Sequence, residues 1–147
     1  MNELNPELFD LTMSAEAQPL LDAVKQHIAD NVDPISEEFY ALNNEKADRW
    51  TWHPRQLELL EGAKKKAREA GLWNFFLPDD ETGKGLNNLD YAYIAAELGK
   101  SPLSSQTLNC SAPDTGNMEV LERVGTPEQK EKWLEPLLNG EIRSAYA

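Results

Sequence analysis

The sequence predicts an all-α helical bundle. Apolar residues recur at steps of three and four along several stretches, and helix start and stop signals bracket those stretches. No strand alternates with helix, and no repeat period is present, across the 147 residues. A chain of this length can bury ~70% of its extended surface, enough for one core.

Residues 1–17 read as a polar leader, with Leu8, Phe9 and Leu11 available to dock on the body, and residues 18–147 read as the folded domain. Leu21, Val24, Ile28, Val32, Ile35, Phe39 and Leu42 then form one stripe on a long helix. Pro34 removes a backbone donor and crowds the carbonyl of Asp30, yet the stripe keeps its phase, which predicts a kinked helix or two abutting ones. Pro54 suits the first position of the next helix, whose buried side reads as Leu57, Leu60, Ala63 or Lys64, Ala67 and Ala70. Gly71 with Leu72 is its stop. The bulky run Trp73–Leu77 follows, and then a loop from Pro78 to Gly85.

The next helix opens at Asn87 or Asn88, buries Tyr91, Ile94, Ala95 and Leu98, and stops at Gly99. Pro102 to Pro113 reads as irregular. Met118, Leu121 and Val124 mark a short helix ending at Gly125. Thr126-Pro127-Glu128-Gln129 is a capping box, with threonine as cap, proline at the first helical position and glutamine reaching back. Trp133, Leu134, Leu137 and Leu138 are the expected core of that helix, which Gly140 ends despite Pro136. From Glu141 no helix start is present, and Ile142, Ser144 and Tyr146 fall on one face of a possible strand. The expectation is a short extended end with nothing to pair with, and a chain cut at that point.

The balance of 26 acids against 14 Lys plus Arg argues against duplex DNA or an anionic membrane face as partner. One cysteine, Cys110, and two histidines, His27 and His53, leave no disulfide framework and no metal-ligand spacing. The leader has acids and no Lys or Arg, unlike a signal peptide, and no window holds the ~20 apolar residues of a bilayer span. A reducing, cytoplasmic setting is the expectation.

On residue types alone no active site assembles. There is no nucleophile elbow, and Thr82–Leu86 lacks the leading glycine and the following Ser or Thr of a phosphate loop. His27 and His53 read as structural or solvated, and Cys110 as a small packed thiol or, if exposed, a reactive one. The cluster Lys64, Lys65, Lys66 and Arg68 suits the negative end of a helix dipole, with an anionic ligand as the competing reading.

Several stretches together resemble the N-terminal helical domain of the flavin-dependent acyl-CoA dehydrogenases. The strongest are Gly125–Lys130 and Trp133–Ile142, which in that family lead into the first strand of a β domain. Asn109–Met118 looks like one subgroup of the family, and Ala70–Trp73 and Ala95–Gly99 also fit. The resemblance spans residues 18–147 and implies oxidation of an acyl-CoA thioester between its α and β carbons. In such enzymes a glutamate base takes the α proton and FAD takes the β hydride, and these groups belong to a C-terminal helical domain and a middle β domain. No catalytic residue and no metal ligand is therefore carried onto this chain, and by itself it is expected to be inactive. Tyr146 and its neighbour Ala147 match the position contacting the flavin, with an ordinary strand role as the alternative. Gln106, Thr107 and Cys110 match the stretch lining the far end of the acyl pocket, with a plain loop role as the alternative. An electron-transfer flavoprotein and assembly into a homo-oligomer are implied for the complete enzyme. From a different class, a non-enzymatic helical interaction module also fits these helices.

Overall fold

Two prolines shape the two helical rods of this bundle. The computed structural model describes residues 10–78 and 83–146; Leu8, Phe9 and Ala147 lie outside the described residues. The first rod runs through α1 (Gln18–His27), a π turn (Ile28–Val32), α2 (Asp33–Ala41) and a closing 3₁₀ turn (Leu42–Glu45). The π turn stands just ahead of Pro34, and the amide of Asp33 reaches back five residues to the carbonyl of Ile28. An extra residue in that turn accommodates a ring that would cost about 3 kcal/mol in a regular helix interior. The rod is thus one continuous helix with a widened turn, and two consecutive steps of four, Val24 to Ile28 to Val32, match that widening.

The same device recurs at the other end. α3 (Pro54–Glu69), α4 (Asn88–Leu98), α5 (Pro102–Thr107) and α6 (Asp114–Val124) lead to the second rod, made of α7 (Pro127–Gln129), a π turn (Lys130–Leu134) and α8 (Glu135–Leu138). Here the amide of Glu135 reaches the carbonyl of Lys130, and Pro136 follows. The Thr126–Gln129 capping box opens this rod: the threonine hydroxyl accepts from the amide of Gln129 at 3.3 Å, and the Gln129 carbonyl oxygen Oε1 accepts from the amide of Thr126 at 2.9 Å.

Several expectations are corrected. α3 buries Gln56, Leu59, Leu60, Ala63, Lys64 and Ala67, while Leu57 is 45% exposed and Ala70 is exposed. Gln56 turns inward because its amide serves a backbone carbonyl and a backbone N–H at once. Its Nε2 donates to the Phe39 carbonyl at 2.7 Å, and its Oε1 accepts from the His53 amide at 3.2 Å, completing a cap with the His53 ring. The segment 102–113, read as irregular, contains α5. That helix is too short to signal itself, and it forms because it packs against α3 and the first π turn. Val124 and Trp133 are exposed rather than core, since Leu134 and Leu137 take the buried face of the second rod. No strand forms among the described residues; the chain from Arg143 to Tyr146 is non-helical.

The leader docks through hydrogen bonds rather than through Leu11, which is exposed. The buried Asp90 carboxylate accepts from the Ser14 amide at 2.7 Å and the Ser14 hydroxyl at 2.8 Å, and the Tyr93 hydroxyl donates to the Leu11 carbonyl at 2.6 Å. Met13 packs onto the main core, built from residues such as Leu21, Phe75, Phe76, Leu77, Ile94, Leu108 and Met118. A second cluster around Val32, Phe39, Leu60 and Leu103 fills the other end, and Ile28 touches both.

Two asparagines join the segments. Gly71 ends α3 with φ of 69°, the amide of Leu72 returns to the carbonyl of Ala67 at 2.8 Å, and the chain turns into Trp73–Leu77. Asn74 and Asn109 both hold left-handed backbone, with φ of 54° and 56°, and both are buried. Asn109 Nδ2 donates to Asn74 Oδ1 at 2.7 Å and to the Leu137 carbonyl at 2.9 Å, while Asn74 Nδ2 donates to the Leu138 carbonyl at 2.8 Å. Asn109→Ala is expected to cost about 3 kcal/mol, because it strands buried partners and places a Cβ-bearing apolar residue at positive φ. Asn109→Gly relieves the backbone part and is expected to cost about 1 kcal/mol less than alanine in urea unfolding. Equal losses for the two variants would contradict this assignment.

Candidate functional site

The extended C-terminal segment lies against the first turn of α6. Asp114 begins that helix and is 2% exposed. Its carboxylate accepts from Arg143 Nε, from the Ser144 amide at 2.7 Å and from the Ser144 hydroxyl at 2.6 Å. Asn117, one turn on, donates from Nδ2 to the Ser144 oxygen at 2.8 Å. Between α6 and the second rod this leaves an open recess of about 420 Å³, walled by Val120, Leu121, Trp133, Leu137 and Ile142. Tyr146 stands one residue beyond its rim at Ala145 and is 88% exposed.

A second recess, of about 260 Å³, opens between α4 and α5. Tyr91, Ala95, Leu98, Pro102, Ser105 and Cys110 line it. Cys110 is buried, and its thiol donates to the Leu108 carbonyl at 3.3 Å. Burial pushes this thiol well above its ordinary value, so thiolate is scarce and nucleophilic reactivity is suppressed. Tyr91 is held neutral chiefly by burial as well.

Of the expected pocket residues, only Cys110 lines this recess. Thr107 is fully buried on the other side of α5: its hydroxyl donates to the Ser104 carbonyl at 2.8 Å and lies 3.3 Å from His27 Nε2. Gln106 is half-buried. His27 sits in the interface between α1 and α5, and its pKa is lowered by burial first and by the positive charge of Lys66 second, with Asp30 opposing. His53 is a helix cap, its Nδ1 accepting from the Arg55 amide at 3.1 Å. The basic cluster is largely committed: Lys64 pairs with Glu61, Lys65 with Glu69, and Arg68 lies over the Trp73 ring while donating to the Asn139 carbonyl.

A family model described as acyl-CoA dehydrogenase, N-terminal domain, matches residues 14–141. The chain belongs to the acyl-CoA dehydrogenase family. It is 44% identical over 140 residues to acyl-CoA dehydrogenase family member 10 of Mus musculus, a match covering 92% of this chain and 13% of the relative. With acyl-CoA dehydrogenase family member 11 of Rattus norvegicus it shares 45% identity over 136 residues, covering 90% of this chain and 17% of the relative. A solved structure of a candidate acyl-CoA dehydrogenase from Mycobacterium abscessus superposes with a TM-score of 0.78 at 46% identity, covering 90% of this chain and 33% of that one. The chain thus spans less than a fifth of the length of these two curated relatives and a third of that structure.

Within this acyl-CoA dehydrogenase domain, the side chains that define the two recesses come from α4, α5, the segment between α5 and α6, α6, the second rod and the C-terminal segment. Sequence reasoning passed over Asp114, Asn74 and Asn109. A signal was available for the asparagines: each stands in a turn between helices, where asparagine tolerates left-handed backbone. Asp114 carried none, since its partners lie 29 and 30 residues away. No described helix is long and apolar enough to cross a membrane, and no described group of three or more His, Cys, Asp or Glu is placed to hold a metal ion.

Two predictions follow from burial. Cys110 is expected to react with an aromatic disulfide reagent at least about a hundredfold more slowly in the native chain than in denaturant, read by thiol-release absorbance; comparable rates would place the thiol at the surface. His27 binds its proton more weakly folded than unfolded. Its stabilising neutral state is therefore present above the ordinary value of 6.5 and is lost as pH falls below it. Melting temperature is expected to drop between about pH 7.5 and 5.5 in the wild type and to drop less in His27→Gln. Identical slopes would assign the pH dependence to other groups.

Proposed function

We propose that this chain, through residues 18–147, acts as the N-terminal helical domain of an FAD-dependent enzyme that introduces an α,β double bond into acyl-CoA thioesters, with residues 1–17 as a leader whose described part, from Asp10 to Ala17, bonds to α4 through Leu11 and Ser14. The family match over residues 14–141 carries this reading. The chain's own contribution is to wall the acyl pocket and to support the flavin-binding domain. The recess between α4 and α5 serves as the closed end of that pocket, where Leu98, Ala95 and Cys110 present apolar surface to an acyl tail. Gln106 and Thr107 act from α5 without lining that recess: both belong to the helix that walls it, and Thr107 sets the helix position through its bond to the Ser104 carbonyl.

For FAD, the residues present fit an edge contact. The exposed ring of Tyr146 can lie against a flavin, with Ala147 next in sequence, whereas a pyrophosphate needs amides or cations, and Arg143 at this end is already bonded to Asp114. The chemistry FAD supplies when bound is acceptance of the β hydride. This chain excludes water from the acyl tail and takes no proton-transfer role. Exposed Val120, Trp133 and Ile142 around the larger recess support the idea of a face that another domain covers. An electron-transfer flavoprotein as acceptor, a homo-oligomeric complete enzyme and a cytoplasmic location belong to the same proposal.

The experiment compares the complete enzyme with this chain alone, each mixed with FAD, an artificial electron acceptor and short-, medium- and long-chain acyl-CoA thioesters. The complete enzyme is expected to be yellow and to reduce the dye, and the chain alone to be colourless and inert. A chain that is yellow and active alone would overturn the supporting role, and a complete protein without acyl-CoA-dependent dye reduction would overturn the function. An interaction module predicts that second result together with self-association of the chain by light scattering.

A further inference from the structure

One stretch that carries the resemblance and the chain's exit from the second rod meet at one side chain. Asp114, in the Asn109–Met118 stretch, holds Arg143 and Ser144, which follow the second rod. We propose that Asp114 is a positioning residue for the flavin contact, fixing the direction in which Tyr146 leaves the helical domain. This rests on the reading of Tyr146 as a flavin-contacting residue.

The geometry supports positioning over simple charge pairing. Arg143 is half-exposed, and an ion pair open to water contributes little. The carboxylate itself is almost fully buried, and its other two bonds go to the amide and the hydroxyl of one residue, Ser144. Bonds to both groups set the location and the rotation of that peptide, and Asn117 braces the hydroxyl from the next turn of α6. The anchor is itself fixed, because Asp114 opens α6, which packs against the second rod. Two residues beyond Ser144 the chain reaches at most about 7 Å. Tyr146 is 88% exposed, so its placement is inherited from the clamp. A carboxylate holding an amide, a hydroxyl and a guanidinium together converts a flexible exit into a directed one before any partner domain docks.

The test uses the complete enzyme with FAD as the probe, and three variants: Asp114→Ala, Ser144→Ala and Tyr146→Ala. FAD dissociation and the flavin absorption band are read in the enzyme, and tryptic cleavage after Arg143 is read in both the enzyme and this chain. For Asp114→Ala the FAD dissociation constant is expected to rise about tenfold, the band to shift in the same direction as in Tyr146→Ala, and cleavage after Arg143 to quicken about tenfold. Ser144→Ala, which removes one arm only, is expected to move all three in the same direction by a smaller factor, and it stands in if Asp114→Ala does not fold. A flavin disturbed by Tyr146→Ala but untouched by the two clamp variants overturns the positioning role and leaves the reading of Tyr146 intact. A flavin untouched by Tyr146→Ala overturns that reading, and the proposal with it.

Discussion

The carbonyls at the end of the second rod must find partners outside their own helix, and the segments that supply them set the arrangement of the domain. Helix termini leave several acceptors open. Here the Glu135 carbonyl is taken by the Asn139 amide, that of Pro136 by the Glu141 amide and that of Leu137 by the Gly140 amide. The remaining capacity is filled from three distant places. Asn109 Nδ2 reaches Leu137, Trp73 Nε1 and Asn74 Nδ2 reach Leu138 at 2.7 and 2.8 Å, and Arg68 reaches Asn139 at 2.8 Å. A left-handed Gly140 is required, since a Cβ there would sit 3.0 Å from both Arg68 Nη2 and Trp73 Cζ2. One helix end thereby ties α3, the turn after it and the segment between α5 and α6 to a single point.

From that point the functional geometry follows. The segment carrying Asn109 continues directly into Cys110, which lines the smaller recess, and then into Asp114, which holds the chain's exit. The rod whose end is captured also walls the larger recess through Trp133 and Leu137. Latch, recess walls and exit clamp are therefore one mechanical unit, and none depends on the acidic surface for its geometry. The π turns ahead of Pro34 and Pro136 serve the same end, letting each rod keep one buried face across a residue that would otherwise break it.

The parts legible in sequence are those governed by local rules. The Thr126 capping box, the Gly71 stop and the stripe through Val24, Val32 and Phe39 depend on residues a few positions apart, and the fold class came from such patterns. What stayed hidden depends on distant partners. Gln56 displaced Leu57 from the core because a carbonyl 17 residues away needed a donor, and α5 exists only against α3 and the first rod. Trp133 looked like core by composition but occupies a face that no described segment covers. Around α5, Cys110 lines a recess while Thr107 faces His27, and which side each residue takes depends on partners far along the chain that no local pattern encodes.

Hydrogen exchange at the four tryptophan indoles tests the latch most directly. Only Trp73 donates its indole hydrogen to the captured helix end, while Trp50, Trp52 and Trp133 are 79%, 40% and 42% exposed. The latch as keystone predicts that the Trp73 indole hydrogen exchanges only through global unfolding, at the rate of the slowest core amides, while the other three exchange through the native state. Exchange of Trp73 on the same timescale as the exposed indoles would contradict it, and would mean that the end of the second rod frays without unfolding the domain.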